Sequence, residues 1–216
     1  MNFSTFKSAN KLVTGQTALQ YLVQALVDAK ATKLLIVSDA GVVNSGTLQY
    51  VLDLCTVEYS IFADVKPEPE FSQVQDCIDV YHQNNCDAVL AVGGGSALDI
   101  AKCVAALADQ PGSINDFIGT DKIKSRNIPL IVIPTTSGTG SEVTNIAILS
   151  DTANQMKQGI VSDCLLPDVA IVSPLMSVSC PASVTAASGI DALVHALEAY
   201  ISLNHSDITD ALAIQT

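Results

Sequence analysis

The chain has 216 residues, 49% of them apolar, and a formal net charge of −12 from 10 basic and 22 acidic residues. That length holds one well-buried domain and part of a second. No basic stripe appears, which argues against nucleic-acid and anionic-membrane partners, and no apolar run is as long as a bilayer span.

The opening residues, MNFSTFKSANK, lack an apolar signal core. Residues 11–14 read as a first short strand. Residues 16–29 set Leu19, Leu22, Val23, Leu26 and Val27 at helical spacing. KLLIV at 33–37 is a continuous apolar run, the mark of a strand buried on both faces. Leu48, Val51, Leu52 and Cys55 suggest a second helix, and residues 57–63 a strand. VKPEPE at 65–70 is a proline-rich break. Phe71, Val74, Cys77, Ile78 and Tyr81 make a third helix. Residues 88–92 and 128–133 are further buried strands. Residues 143–149 and 157–161 read as a hairpin whose turn is 150–155, and 169–172 as a last strand. From 182 onward only helical patterns remain, one through Ala187, Ile190, Leu193, Val194, Leu197 and Ile201, another from Ser206. The six cysteines form no CxxC pair, which suits free thiols in a reducing cytoplasm.

Strands alternating with helices predict right-handed βαβ units, hence a parallel sheet covered on both faces. The expected class is α/β: a doubly wound, mostly parallel sheet over residues 1–181, followed by the start of an all-helical domain over 182–216. Ligands in such sheets gather outside the carboxyl ends of the strands, and three polar segments sit at such ends.

The first is DAVLAVGGGSALDIAK at 87–102: strand, glycine corner, helix. Gly93, Gly94 and Gly95 carry no Cβ, so the backbone can approach a ligand closely. The unpaired amides of the following helix, with its dipole, suit a phosphate. Ser96 is placed to cap that helix, and Asp99 stands three residues on, at capping-box spacing. The alternative is a tight connection with no ligand. The spacing is not GxGxxG. The second segment, PTTSGTGSEVT at 134–144, offers the hydroxyls of Thr135, Thr136, Ser137, Thr139 and Ser141 to phosphate or ribose; alone it equally fits a plain polar loop. The third is Asp39, after KLLIVS. A carboxylate there can accept both hydroxyls of an adenosine ribose and would repel a 2′-phosphate, or it can simply form a turn. Lys102 and Lys157 are the cations nearest these loops, with an ordinary surface place as the alternative. On the late helix Asp191 and His195 are four apart, hence on one face. They suit a divalent metal, or a plain hydrogen-bonded pair, and they fall short of the three protein ligands a catalytic metal usually takes.

Three motifs, GGGSALDIAK, PTTSGTGSEVT and ASGIDALVHALEAY, resemble the iron-containing (group III) alcohol dehydrogenase family in order and spacing. The resemblance spans nearly the whole chain. It implies an NAD-binding domain and a helical domain with the active site between them. By position, Gly94, Gly95 and Ser96 would hold the pyrophosphate, Asp99 would belong to the same cofactor site, and Asp39 would bind the adenosine ribose and favour NAD. Thr135, Thr136, Thr144 and Lys157 would line the rest of the cofactor. Asp191 and His195 match two metal ligands, for Fe2+ or in some relatives Zn2+; two further histidines are expected beyond Thr216. Glu68 stands where the family usually carries asparagine, and Ser173 where it commonly has aspartate. The implied activity is metal-assisted hydride transfer between an alcohol or aldehyde and NAD, in a cytoplasmic homodimer or larger homo-oligomer. The 216 residues alone are expected to bind NAD without being a competent dehydrogenase. Glycerol dehydrogenase and dehydroquinate synthase share the architecture and remain alternatives, as does an inactive nucleotide-binding remnant.

Overall fold

Apolar runs without polar interruption need cover on both sides, and they form the centre of the sheet. In the computed structural model, which describes residues 4–152 and 154–216, these runs are β2 (Lys33–Val37), β4 (Ala88–Gly93) and β6 (Leu130–Pro134). Residues 1–3, within the opening read for a leader, and residue 153, within the expected hairpin turn, lie outside the described residues. The sheet has six strands, all parallel, in the order β1-β9-β6-β4-β2-β3, with β1 at Lys11–Thr14, β3 at Glu58–Phe62 and β9 at Val169–Val172.

The two faces follow from the period-two alternation of strand side chains. Leu35, Val37, Val89, Ala91 and Val132 pack with α4 (Phe71–Gln83) and α5 (Gly95–Leu107). Leu34, Ile36, Leu90, Val92, Ile131 and Ile133 pack with α1 (Tyr21–Asp28), α2 (Ala40–Asn44) and α3 (Thr47–Leu52). The predicted doubly wound α/β class is thus the observed one. Each of these Leu, Ile and Val side chains contributes about 1.5–3 kcal/mol by leaving water.

A short helix α6 (Ile114–Phe117) leads to a second sheet of order β5-β8-β7, with β5 at Gly119–Thr120, β7 at Ile146–Asp151 and β8 at Met156–Val161. The predicted hairpin is the antiparallel pair β7–β8. Its first strand begins later than expected, because Ser141–Val143 form a 3-10 turn. The sequence reading missed α2 and α6. Both are too short for a helical period to register, and Asp39 reads equally well as a turn residue or as the cap it proves to be. Arg126 closes the far side of the domain. Its guanidinium donates to the carbonyls of Cys164, Ile128 and Leu166 and grips both oxygens of Asp168 at 2.7 and 3.0 Å.

The last two helices are α7 (Ala182–Ile201) and α8 (Asp207–Gln215). No residue of either is buried. Ile190, Leu193, Leu197 and Ile201 are 58–68% exposed, so the apolar stripe predicted from the sequence lies open.

Candidate functional site

From β2 the chain crosses outward to β3, then returns past β2 to β4. The carboxyl ends of β2 and β4 therefore flank the point where strand order reverses, the expected place for a crevice. β6 lies beside β4, so all three polar segments emerge on one edge.

Short contacts join them. Thr135 N donates to Gly93 O at 2.9 Å, setting the hydroxyl-rich loop beside the glycine corner. Ser38 Oγ donates to Val92 O at 2.7 Å, tying in the segment that carries Asp39. A Cβ on Gly93 would lie 3.2 Å from Asp39 Oδ2. The other oxygen, Oδ1, caps α2 by accepting from Val42 N at 3.0 Å. Asp39 is half-buried and keeps one oxygen on the crevice side of its cap.

The helix after the glycine corner does not start as the sequence suggested. Its N-cap is Gly94, with no side-chain cap bond, so Ser96 is not the cap and Asp99 is not the partner of a capping box. Ala97 N and Leu98 N donate to Gly94 O at 3.0 and 3.2 Å, while the amides of Gly95 and Ser96 precede the helical ladder. The glycines matter because the loop comes so close. A Cβ on Gly95 would lie 3.0 Å from Thr139 Oγ1 and Cγ2.

Asp99 instead bonds inward. It accepts from Ser141 Oγ at 2.5 Å and from Ile148 N at 3.0 Å, and lies 3.7 Å from Lys102 Nζ. The alternative of a surface place for Lys102 is wrong: its side chain is 0% exposed. Its ammonium donates to Ser141 Oγ at 2.7 Å, Thr144 Oγ1 at 3.1 Å and Ile146 O at 3.0 Å. Burial lowers the Lys102 pKa and raises that of Asp99, each shift opposed by the other's charge. Burial also raises Glu142 above the usual carboxylate range. The periodicity of α5 had the signal for this: Lys102 falls between Ala101 and Cys103 in a segment apolar on every side. Thr144 is half-buried and already accepts from Lys102. Lys157 is exposed and pairs with Glu68 at 2.9 Å, joining β8 to the proline-rich segment.

The late helix meets the same loop. A Cβ on Gly138 would lie 2.5 Å from Ser188 O and 2.7 Å from its Cβ, so only glycine permits this approach. Ser188, Asp191 and His195 are spaced to share one helix face. The candidate metal residues thus stand along the stripe that touches the hydroxyl-rich loop. His195 Nε2 is 3.6 Å from Asp191 Oδ1. Among the described residues no group of three His, Cys, Asp or Glu side chains is gathered to hold a metal. The pair is two ligands of a set that needs at least three, so a catalytic ion does not fit these residues alone.

The strand order and the polar edge define a Rossmann-like α/β protein. Comparison with known sequences makes this specific. Residues 9–174 match the profile of the iron-containing alcohol dehydrogenases, and residues 185–216 match that of the Fe-containing alcohol dehydrogenase family's C-terminal region. The NAD-dependent methanol dehydrogenase of Bacillus methanolicus is 38% identical over 206 residues, covering 94% of this chain and 54% of its own. The long-chain-alcohol dehydrogenase 1 of Geobacillus thermodenitrificans is 44% identical, covering 93% of this chain and 52% of its own. The crystal structure of a 1,3-propanediol oxidoreductase superposes with a TM-score of 0.95 at 34% identity, over 99% of this chain and 57% of that one. The chain belongs to the iron-containing alcohol dehydrogenase family. It spans about half the length of the curated relatives it matches.

Proposed function

We propose that these residues form the NAD-binding part, and the first metal-ligand pair, of an alcohol dehydrogenase that moves hydride between an alcohol or aldehyde and NAD. The observation that carries this is the meeting of Asp39, the glycine corner and the hydroxyl-rich loop at one edge of the sheet. A dinucleotide needs three things there, and the chain has candidates for each. Amides at the start of α5 suit the pyrophosphate. The free carboxylate oxygen of Asp39 suits the adenosine ribose and opposes a 2′-phosphate. The hydroxyls of Thr135 and Thr136, with Thr144 at the loop's end, suit the remaining polar atoms, and Lys157 stands at the outer hairpin. The kinship with an NAD-dependent methanol dehydrogenase supports the same assignment.

Bound NAD would supply the hydride acceptor, and the protein's part is to hold it in place and exclude water. Asp191 and His195 are offered to a divalent cation, iron by family kinship, from the helix that abuts the loop at Gly138. The remaining ligands must come from outside the described residues. The purified chain is therefore expected to bind NADH, to prefer it over NADPH, and not to oxidise alcohols even with added Fe2+ or Zn2+. Titration calorimetry with both nucleotides and an NAD-reduction assay test this. Failure to bind NADH, or robust metal-dependent turnover by this chain, refutes it.

A further inference from the structure

Lys102 is the largest fully buried side chain among the described residues. The other buried residues of α5 are apolar, from Ala97 to Leu107. An ammonium among them is costly unless all its protons are used. Here all three are used, and each acceptor, Ser141 Oγ, Thr144 Oγ1 and Ile146 O, lies on the hydroxyl-rich loop or the strand after it. Asp99, one turn earlier, holds the same segment from the other side through Ser141 Oγ and Ile148 N. Ser141 is the hub: it accepts from Lys102, donates to Asp99, and its backbone amide donates to Thr139 Oγ1 at 3.2 Å. Thr139 in turn stands over the start of α5, 3.0 Å from where a Gly95 Cβ would be. A line of bonds thus runs from the middle of α5 to Thr139, which lies against the first turn of the same helix.

We infer that Lys102 and Asp99 are positioning residues: a buried latch that fixes the height of the loop Thr139–Ser141 over the glycine corner, and so the width of the slot for the pyrophosphate. Neither residue touches the dinucleotide. This revises the place of Asp99 from cofactor contact to support, and it rests on the NAD reading above. A latch of two charges suits the task better than apolar packing. Directional bonds set one loop geometry, whereas apolar contacts tolerate sliding.

The test uses Lys102→Met, which keeps the length of the side chain, and Ser141→Ala, which removes the hub with little change in volume. In nucleotide-free protein, amide hydrogen exchange at 139–143 is expected to quicken about tenfold or more in both variants, with β4 and β6 unchanged in Ser141→Ala. The NADH dissociation constant is expected to rise by about tenfold in both; Lys102→Met also melts lower, because Asp99 is left buried without its cation, whereas Ser141→Ala keeps both charges and so reads the loop apart from global stability. Because both act through one hub, the double variant binds NADH no more weakly than Lys102→Met alone. Unchanged loop exchange overturns the latch whether or not NADH binds. Quickened exchange with unchanged NADH affinity overturns its role in setting the slot, and wild-type protein that binds no NADH overturns the cofactor reading itself.

Discussion

Gly95→Ala separates binding from folding, because the two respond with very different magnitude. Gly95 opens α5 in helical geometry, so alanine there lowers backbone entropy in the unfolded chain and adds helix propensity, together about 0.4–1 kcal/mol in favour of the fold. Against this stands the new Cβ, 3.0 Å from Thr139 Oγ1 and Cγ2 and 3.3 Å from Thr139 Cβ. Thr139 is exposed and can give by a few tenths of an ångström, so the net effect on folding lies within about ±0.5 kcal/mol, a melting shift of about 2 °C or less. The cofactor has no such freedom. A methyl at the mouth of the corner displaces the phosphate from the first-turn amides, and losing one charge-assisted hydrogen bond costs about 1.5–3 kcal/mol. NADH affinity should fall about 10- to 100-fold, read by calorimetry beside a thermal melt. An unchanged dissociation constant, or a loss of affinity matched by an equal loss of stability, would refute the claim that this backbone is a ligand surface.

Substitution can part the cap that Asp39 makes from the ribose contact proposed for it. Asp39→Ser keeps a cap for α2 and its stability, but weakens NADH and narrows its advantage over NADPH; Asp39→Ala loses about 1 kcal/mol of cap as well, and melts and titrations with both nucleotides decide this. Arg126→Met leaves Asp168 without its cation and three carbonyls without a donor, costing about 1–3 kcal/mol in a urea titration. Glu142 titrates with its folded pKa raised by burial above the ordinary 4.5. Its favourable contribution is present below that value and is lost as pH rises through the raised pKa. Glu142→Gln should therefore be more stable than wild type at neutral pH, with the gap closing towards pH 4, as melting temperatures across that range would reveal.

Much of the fold is legible in the sequence because strand and helix periods are local. KLLIV, AVLAV and LIVIP read as strands buried on two faces, and their succession with helical stretches implies the parallel sheet. The polar motifs could be placed at strand ends for the same reason. The capping role given to Ser96 failed because capping depends on where the first helical residue falls. The backbone settles that two residues earlier than a Ser96 cap would require, at Gly95. The surface alternative for Lys102 failed for a different reason. Burial depends on what covers α5, and its cover comes from residues 39 to 44 positions away.

By itself, then, the chain of residues determined the alternation of elements, the corner that only glycine can make, and the pairing of Asp191 with His195 on one helix face, since each depends on neighbours within a few positions. Only the tertiary structure decided that Asp39, Gly93 and Thr135 meet, that Lys102 and Asp99 face inward to one serine, and that Gly138 touches the late helix at Ser188. Those contacts close loops of tens of residues. No periodicity records which distant segment wins the place, because the outcome is set by packing the whole sheet at once.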